Sequence, residues 1–301
     1  MRKLALSCVL VLVMNGIVSA EIVQDIDIQF VTIGNPGNPG DTRNGADPAG
    51  CGAVDYTYRI GKYEITNWQW DAFVTAAGAP TGNANAYNYP SAPGFDGSEQ
   101  PANNVTWLEA AQFCNYLTSG DKSQGVYLFS GNNANPGDYN GFDRDSAVSD
   151  YGVVYAIPAM EEWYKAAFYT GSGYSAYANG TDTAQTTSDS RYNSGSPSVG
   201  TPWNVGSGTM EQNGTFDMMG NVWEWNERLF AGDLHGVRSG AYYNAVDPLG
   251  DPLSYLWGSN HEDYQYEESK RYGLRVVAVP EPATMIPLLL GGLALIRKRK
   301  A

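Results

Sequence analysis

Apolar residues fall at period two from Ile26 to Ile33, where Ile26, Ile28 and Phe30 share one face, and this alternation predicts a strand. Residues 34–52 are dense in Gly, Pro, Asn and Asp and predict a loop. A second alternating run, Tyr56 to Thr66, ends at a helix start, with Thr66 or Asn67 as the N-cap. Trp70, Phe73, Val74 and Ala77 form the apolar stripe of a helix over Trp68 to Ala77. A second helix is predicted from Thr106 to Thr118, with Thr106 and Glu109 placed as a capping box. Residues 119–150, mostly Gly, Asn, Asp and Ser, read as a long surface insertion. The block Tyr155 to Phe168 contains a third helix, with Pro158 at its entrance and Glu161 and Glu162 where the helix dipole favours negative charge. Val237–Asn244 and Tyr272–Val277 supply two closing strand-like pieces.

The two ends follow different patterns. Arg2 and Lys3 precede an apolar stretch from Leu4 to Val13, and Val18-Ser19-Ala20 forms a small-x-small cleavage pattern. Residues 1–20 therefore read as a secretory signal peptide, with the mature chain beginning at Glu21. At the other end, Pro280-Glu281-Pro282 precedes an apolar run from Ala283 to Ile296 and the basic stretch Arg297 to Lys300. That order resembles the PEP-CTERM sorting signal of bacterial envelope proteins. The run is short against the roughly 20 residues of a membrane span, and the basic end is expected to stay cytoplasmic. The resemblance implies a transient inner-membrane anchor in residues 279–301, an exosortase-type processing peptidase as partner, and delivery of residues 21–278 to the cell envelope or beyond.

Charge narrows the ligands. The whole chain carries a formal net charge of −14, and several of its basic residues lie in the two ends, so the body is more acidic still. Such a surface repels nucleic acid. The mature body keeps two cysteines, Cys51 and Cys114. An oxidising compartment permits a disulfide between them. The apolar helical spacing around Cys114 equally permits a buried unpaired thiol. Neither Gly-x-Ser-x-Gly nor His-Glu-x-x-His occurs, so hydrolases built on those motifs are excluded.

Five blocks in order carry a family resemblance: Ile60-Gly-Lys-Tyr-Glu-Ile-Thr-Asn67, Asn104-Val-Thr-Trp107, Ile157-Pro-Ala-Met-Glu-Glu-Trp163, Asp217-Met-Met-Gly-Asn-Val-Trp-Glu-Trp225 and Tyr272-Gly-Leu-Arg275. They resemble the formylglycine-generating enzyme family, also called the sulfatase-modifying factor domain. The resemblance implies an α+β, C-type-lectin-like fold with little regular secondary structure over residues 21–278.

It also implies what chemistry is missing. The family's oxidases bind copper through a C-terminal cysteine pair shortly after an Arg-Gly-Gly-Ser-Trp segment; the stretch matching that segment here is Arg238 to Asn244, and no cysteine occurs after Cys114. No copper is expected, because hydroxyl and amide groups do not replace thiolates for Cu(I). A second branch holds iron through histidines on an added domain, and this chain has only His235 and His261. The family's calcium site, carried over by position, implies Ca²⁺ ligands at Asp217, the Gly220 carbonyl, the Val222 carbonyl and Glu224. A Gly-containing turn bringing carbonyls to carboxylates suits a hard cation. The expected function is a non-catalytic envelope or matrix scaffold that meets exopolysaccharide. The alternative is an enzyme of altered, cysteine-independent chemistry.

Overall fold

The computed structural model describes residues 18–43, 46, 48–81, 94–192, 200–230, 232–242, 261–264 and 269–280. The signal segment up to residue 17, the apolar run 283–296 and the basic end lie outside them. Among the described residues, no helix is long and apolar enough to cross a membrane.

A five-stranded antiparallel sheet forms one side of the body. Its order is β1 (Val18–Val23), β2 (Ile26–Ile33), β3 (Tyr58–Gly61), β11 (Val277–Pro280), β6 (Val153–Ala156). The period-two reading of β2 holds: Ile26, Ile28 and Phe30 are buried while Asp27 and Gln29 face water. β1 pairs Val18 to Val31 and Glu21 to Ile28, so cleavage after Ala20 would remove half of this edge strand. Glu21 itself is anchored, accepting from Tyr155 Oη at 2.6 Å and pairing with Arg59. β11 carries the sheet to Pro280, two residues past the expected boundary at 278.

Helices α1 (Asn67–Ala77) and α2 (Trp107–Ser119) start as their sequences predict. Both have reciprocal capping boxes: Thr66 with Gln69, and Thr106 with Glu109, whose carboxylate accepts the Thr106 N–H at 2.9 Å. Such a cap stabilises a helix by about 1 kcal/mol. Gly120 ends α2 at φ 80°, in the left-handed region that favours glycine. Trp70, Phe73 and Phe113 interlock between the two helices, with ring centroids 5.1–5.6 Å apart. Helix α4 (Met160–Phe168) lacks a capping side chain at Ala159 and instead uses Glu162, which reaches back to the Ala159 N–H at 2.6 Å.

The stretch 119–150 is not the featureless insertion its composition predicts. It contains the hairpin β4 (Tyr127–Phe129) and β5 (Tyr139–Phe142) and a helix, α3 (Arg144–Tyr151), capped by Asp143 through Ser146 N. The physical reason is Arg144, whose guanidinium spans Glu162 and Glu227, each at 2.9 Å. A buried two-carboxylate anchor holds this polar helix where an apolar stripe is lacking. Four strands complete the body in the order β10 (Tyr272–Gly273), β7 (Trp223–Leu229), β8 (Leu234–Arg238), β9 (His261–Tyr264), with β10 parallel to β7 and the rest antiparallel.

Candidate functional site

The loop from Asp217 to Val222 enters β7 through left-handed backbone at Asp217 (φ 64°), Gly220 (φ 130°) and Asn221 (φ 63°). Three such turns in six residues fold the chain back on itself, and only close packing holds them. A Cβ at Gly220 would stand 2.7 Å from the Arg191 carbonyl, so glycine is required there for space as well as for conformation. Two side chains from elsewhere fix the loop. Glu64, following β3, accepts from Asn221 Nδ2 at 2.7 Å and from the Val222 N–H at 3.2 Å. Ser239, after β8, accepts the Gly220 N–H at 2.8 Å and donates to the Gly220 carbonyl at 3.0 Å.

The four carried-over calcium positions end up in different situations. Asp217 is 4% exposed; one of its oxygens accepts the Gly206 N–H at 2.7 Å, and Oδ1 is buried without a hydrogen-bond partner. Burial raises its pKa to about 6 despite the Gly206 bond and Arg275. An unpartnered, buried carboxylate oxygen is a fit for a hard cation. Glu224 is not free to join it. Its carboxylate pairs with Arg275 at 2.7, 2.9 and 3.1 Å and accepts Trp163 Nε1 at 2.7 Å, with both partner charges fully buried. A ligand role for Glu224 would require breaking this pair. The sequence resemblance could not reveal that conflict, because Arg275 lies 51 residues away. Among the described residues, no three His, Cys, Asp or Glu side chains converge to hold a metal. An ion at this loop would rest on Asp217 and backbone carbonyls.

Arg275 is the hub of the buried charges. It also donates to the Gly61 carbonyl at 2.8 Å and the Phe216 carbonyl at 2.7 Å. Burial opposes its charge, yet Glu224 beside it holds its pKa above the ordinary arginine value. Glu64 and Glu211 lie close to the same guanidinium, and burial raises the pKa of both, Glu211 to about 8. Glu64 is the site residue that sequence reasoning missed. It stands inside the first resemblance block, between Tyr63 and Ile65 and shortly before the α1 cap, and an acidic side chain between two apolar neighbours was the available signal.

The described part of the stretch that precedes the family's thiol position is buried. Ser239, Ala241 and Tyr242 are 5% exposed or less, and the Tyr242 ring packs edge-on to Phe95 at 5.6 Å. Residues 243–260, which follow it, lie outside the described residues. Cys51 and Cys114 are both buried free thiols, which settles the sequence's two alternatives against a disulfide. Burial raises the Cys51 thiol pKa to about 11 and that of Cys114 well above the usual range, so neither offers thiolate at neutral pH. His235 is buried and stacked on Trp107 at 3.7 Å.

Known proteins agree with this architecture. A chaperone protein, LppX, of Paenibacillus barcinonensis is 27% identical over 188 residues, which are 56% of this chain and 61% of that protein. The chain therefore spans about three-fifths of that relative's length. Treponema denticola variable protein 1 superposes with a TM-score of 0.60 at 19% identity, covering 88% of this chain and 99% of its own. CarF superposes at 0.60 and 22% identity, with 83% and 97% covered. PvdO from Pseudomonas aeruginosa superposes at 0.56 and 15% identity, with 84% and 94% covered. These likenesses show a shared α+β fold. The sulfatase-modifying factor enzyme 1-like domain of the FGE-sulfatase family matches residues 33–279, most of the chain, and the chain belongs to that family.

Proposed function

We propose that this protein is a non-catalytic member of its family that works outside the inner membrane as a rigid binding scaffold. The observation that carries the reading is that no cysteine follows Cys114, so the stretch after Arg238–Asn244, where family oxidases hold copper, offers no thiolate. Cys51 and Cys114 do not substitute, because both are buried and protonated at neutral pH. The test is incubation of purified protein with a sulfatase-type cysteine peptide, Cu(I) and oxygen, followed by mass spectrometry. The expected outcome is no aldehyde; repeated turnover lost in Cys51→Ser or Cys114→Ser would refute the reading.

Export is part of the proposal, supported by the order of apolar and charged positions at both ends. It implies an exosortase-type peptidase as processing partner. Intact mass of envelope-derived protein is expected to begin at Glu21 and to lack the end from Arg297 to Lys300. Retention of residues 283–301 would leave a plain membrane anchor instead.

A calcium ion is a second element of the reading, supported by the unpartnered Oδ1 of Asp217. Asp217 and the carbonyls of Gly220 and Val222 would hold it, and it would supply charge neutralisation to the loop rather than chemistry.

A further inference from the structure

A cleft of about 450 Å³ opens where β2, the turn after β3 and the start of α1 meet the segments at Glu99 and Val205. That volume lies within the ~300–1,000 Å³ of small-molecule sites. Its walls differ from the apolar walls such sites usually have. Asp27, Gln29 and Glu99 present exposed oxygens and an amide, and their side chains make no hydrogen bond or ion pair among the described residues. Gln69 is a fixed wall: it accepts the Thr66 N–H at 2.8 Å and donates to the Asp27 carbonyl at 2.7 Å. Glu64 lies at the floor, with its carboxylate committed to Asn221 and Val222.

One residue breaks the pattern of the core. Trp70, Trp107, Trp163, Trp223 and Trp225 are each 5% exposed or less, yet Trp68, at this cleft, is 47% exposed. A bare indole face flanked by hydrogen-bonding side chains offers an apolar platform and polar edges together. A sugar ring has the same two characters, with C–H bonds on its faces and hydroxyls at its rim. The cleft has no arginine or lysine in its lining; Lys62 is held against the ring of the wall residue Tyr63 at 5.1 Å. Asp27 and Glu99 would repel carboxylates and sulfates.

We propose that this cleft binds a sugar ring of an uncharged or amine-bearing polysaccharide, stacked on Trp68 and hydrogen-bonded by Asp27, Gln29 and Glu99. The proposal gives a ligand class to the scaffold reading and takes from that reading only that the ligand lies outside the cell. A glycan site would fail without altering the aldehyde result, and an active oxidase would leave the cleft unaffected.

The experiment is calorimetric titration of the purified full-length protein with cellohexaose, maltohexaose, chitosan hexamer and mannuronate hexamer. Saturable binding of one or more of the first three is expected, with the mannuronate hexamer weakest. Trp68→Ala is expected to weaken that binding at least tenfold, and Trp68→Phe to retain most of it. Because Trp68 is half exposed, both variants should keep the wild-type circular dichroism and melting temperature. No binding of the first three sugars, undiminished binding by Trp68→Ala, or preference for the mannuronate would each overturn the proposal.

Discussion

Glu224→Gln separates two roles for one carboxylate. The change keeps shape and removes charge, so it leaves Arg275 fully buried with only the Gly61 and Phe216 carbonyls as close acceptors beside the amide oxygen. That single oxygen cannot replace a carboxylate that accepts from both Arg275 and Trp163. Removing one partner of a buried ion pair costs about 3–5 kcal/mol. The Gly61 and Phe216 carbonyls that still accept from Arg275 argue for the lower end, about 3 kcal/mol. For a domain of this size that corresponds to a fall in melting temperature of roughly 6–12 °C. The assay is thermal and urea unfolding of wild type, Glu224→Gln and Asp217→Asn, each in calcium and in chelator. The loss in Glu224→Gln is expected to be equal in both buffers. The wild type is expected to gain stability from calcium, about 2.7 kcal/mol at 100 times the dissociation constant. Glu224→Gln should keep that gain and Asp217→Asn should lose it. A Glu224→Gln loss seen only in calcium would place the carboxylate on the ion and refute the reasoning, as would a loss below about 1 kcal/mol in both buffers.

Two further outcomes follow from buried titratable groups. Burial raises Glu211 to about 8, so the folded state holds a proton there that the unfolded chain releases near pH 4.5. Its contribution is fully present below that lower value and is lost as pH rises through about 8; Glu211→Gln is expected to flatten this slope, gaining on the order of a few kcal/mol over wild type at pH 9. Unchanged pH dependence in that variant would count against the burial argument. Thiol titration with an aromatic disulfide reagent should find Cys51 and Cys114 unreactive in the native protein and both reactive after denaturation without reductant; no reaction after denaturation would reveal a disulfide.

Local signals reached as far as local physics does. β2 was legible because one of its faces is buried and the other wet, and α1 and α2 because their caps depend on residues three apart. Helix α3 was hidden by the absence of an apolar stripe: its place depends on Arg144 meeting Glu162 and Glu227, contacts that no window along the chain contains. Asp143 before it and Gly152 after it were the only local traces. The same limit applied at the signature loop. Its sequence named Asp217, Gly220, Val222 and Glu224 as neighbours, but the division between an open oxygen on Asp217 and a saturated carboxylate on Glu224 is decided by Arg275, Trp163 and Gly206.

That division shows the family motifs serving the architecture itself. Glu64 from the first block clamps Asn221 and Val222 of the signature loop. Trp163 of the third block and Arg275 of the last meet on Glu224, and Arg275 also holds the carbonyl of Gly61. Four of the five blocks are therefore joined through one buried polar network, in which losing any member leaves another charge or donor unsatisfied. The fifth joins it through packing and backbone, with the Trp225 indole donating to the Val105 carbonyl at 2.8 Å. Together these residues close the fold. Tyr242 belongs to the same closure: its N–H donates to the Asn221 carbonyl of the signature loop at 2.8 Å, and its buried ring packs on Phe95. A match to the blocks is thus evidence of architecture, and activity has to be read from the residues the architecture presents.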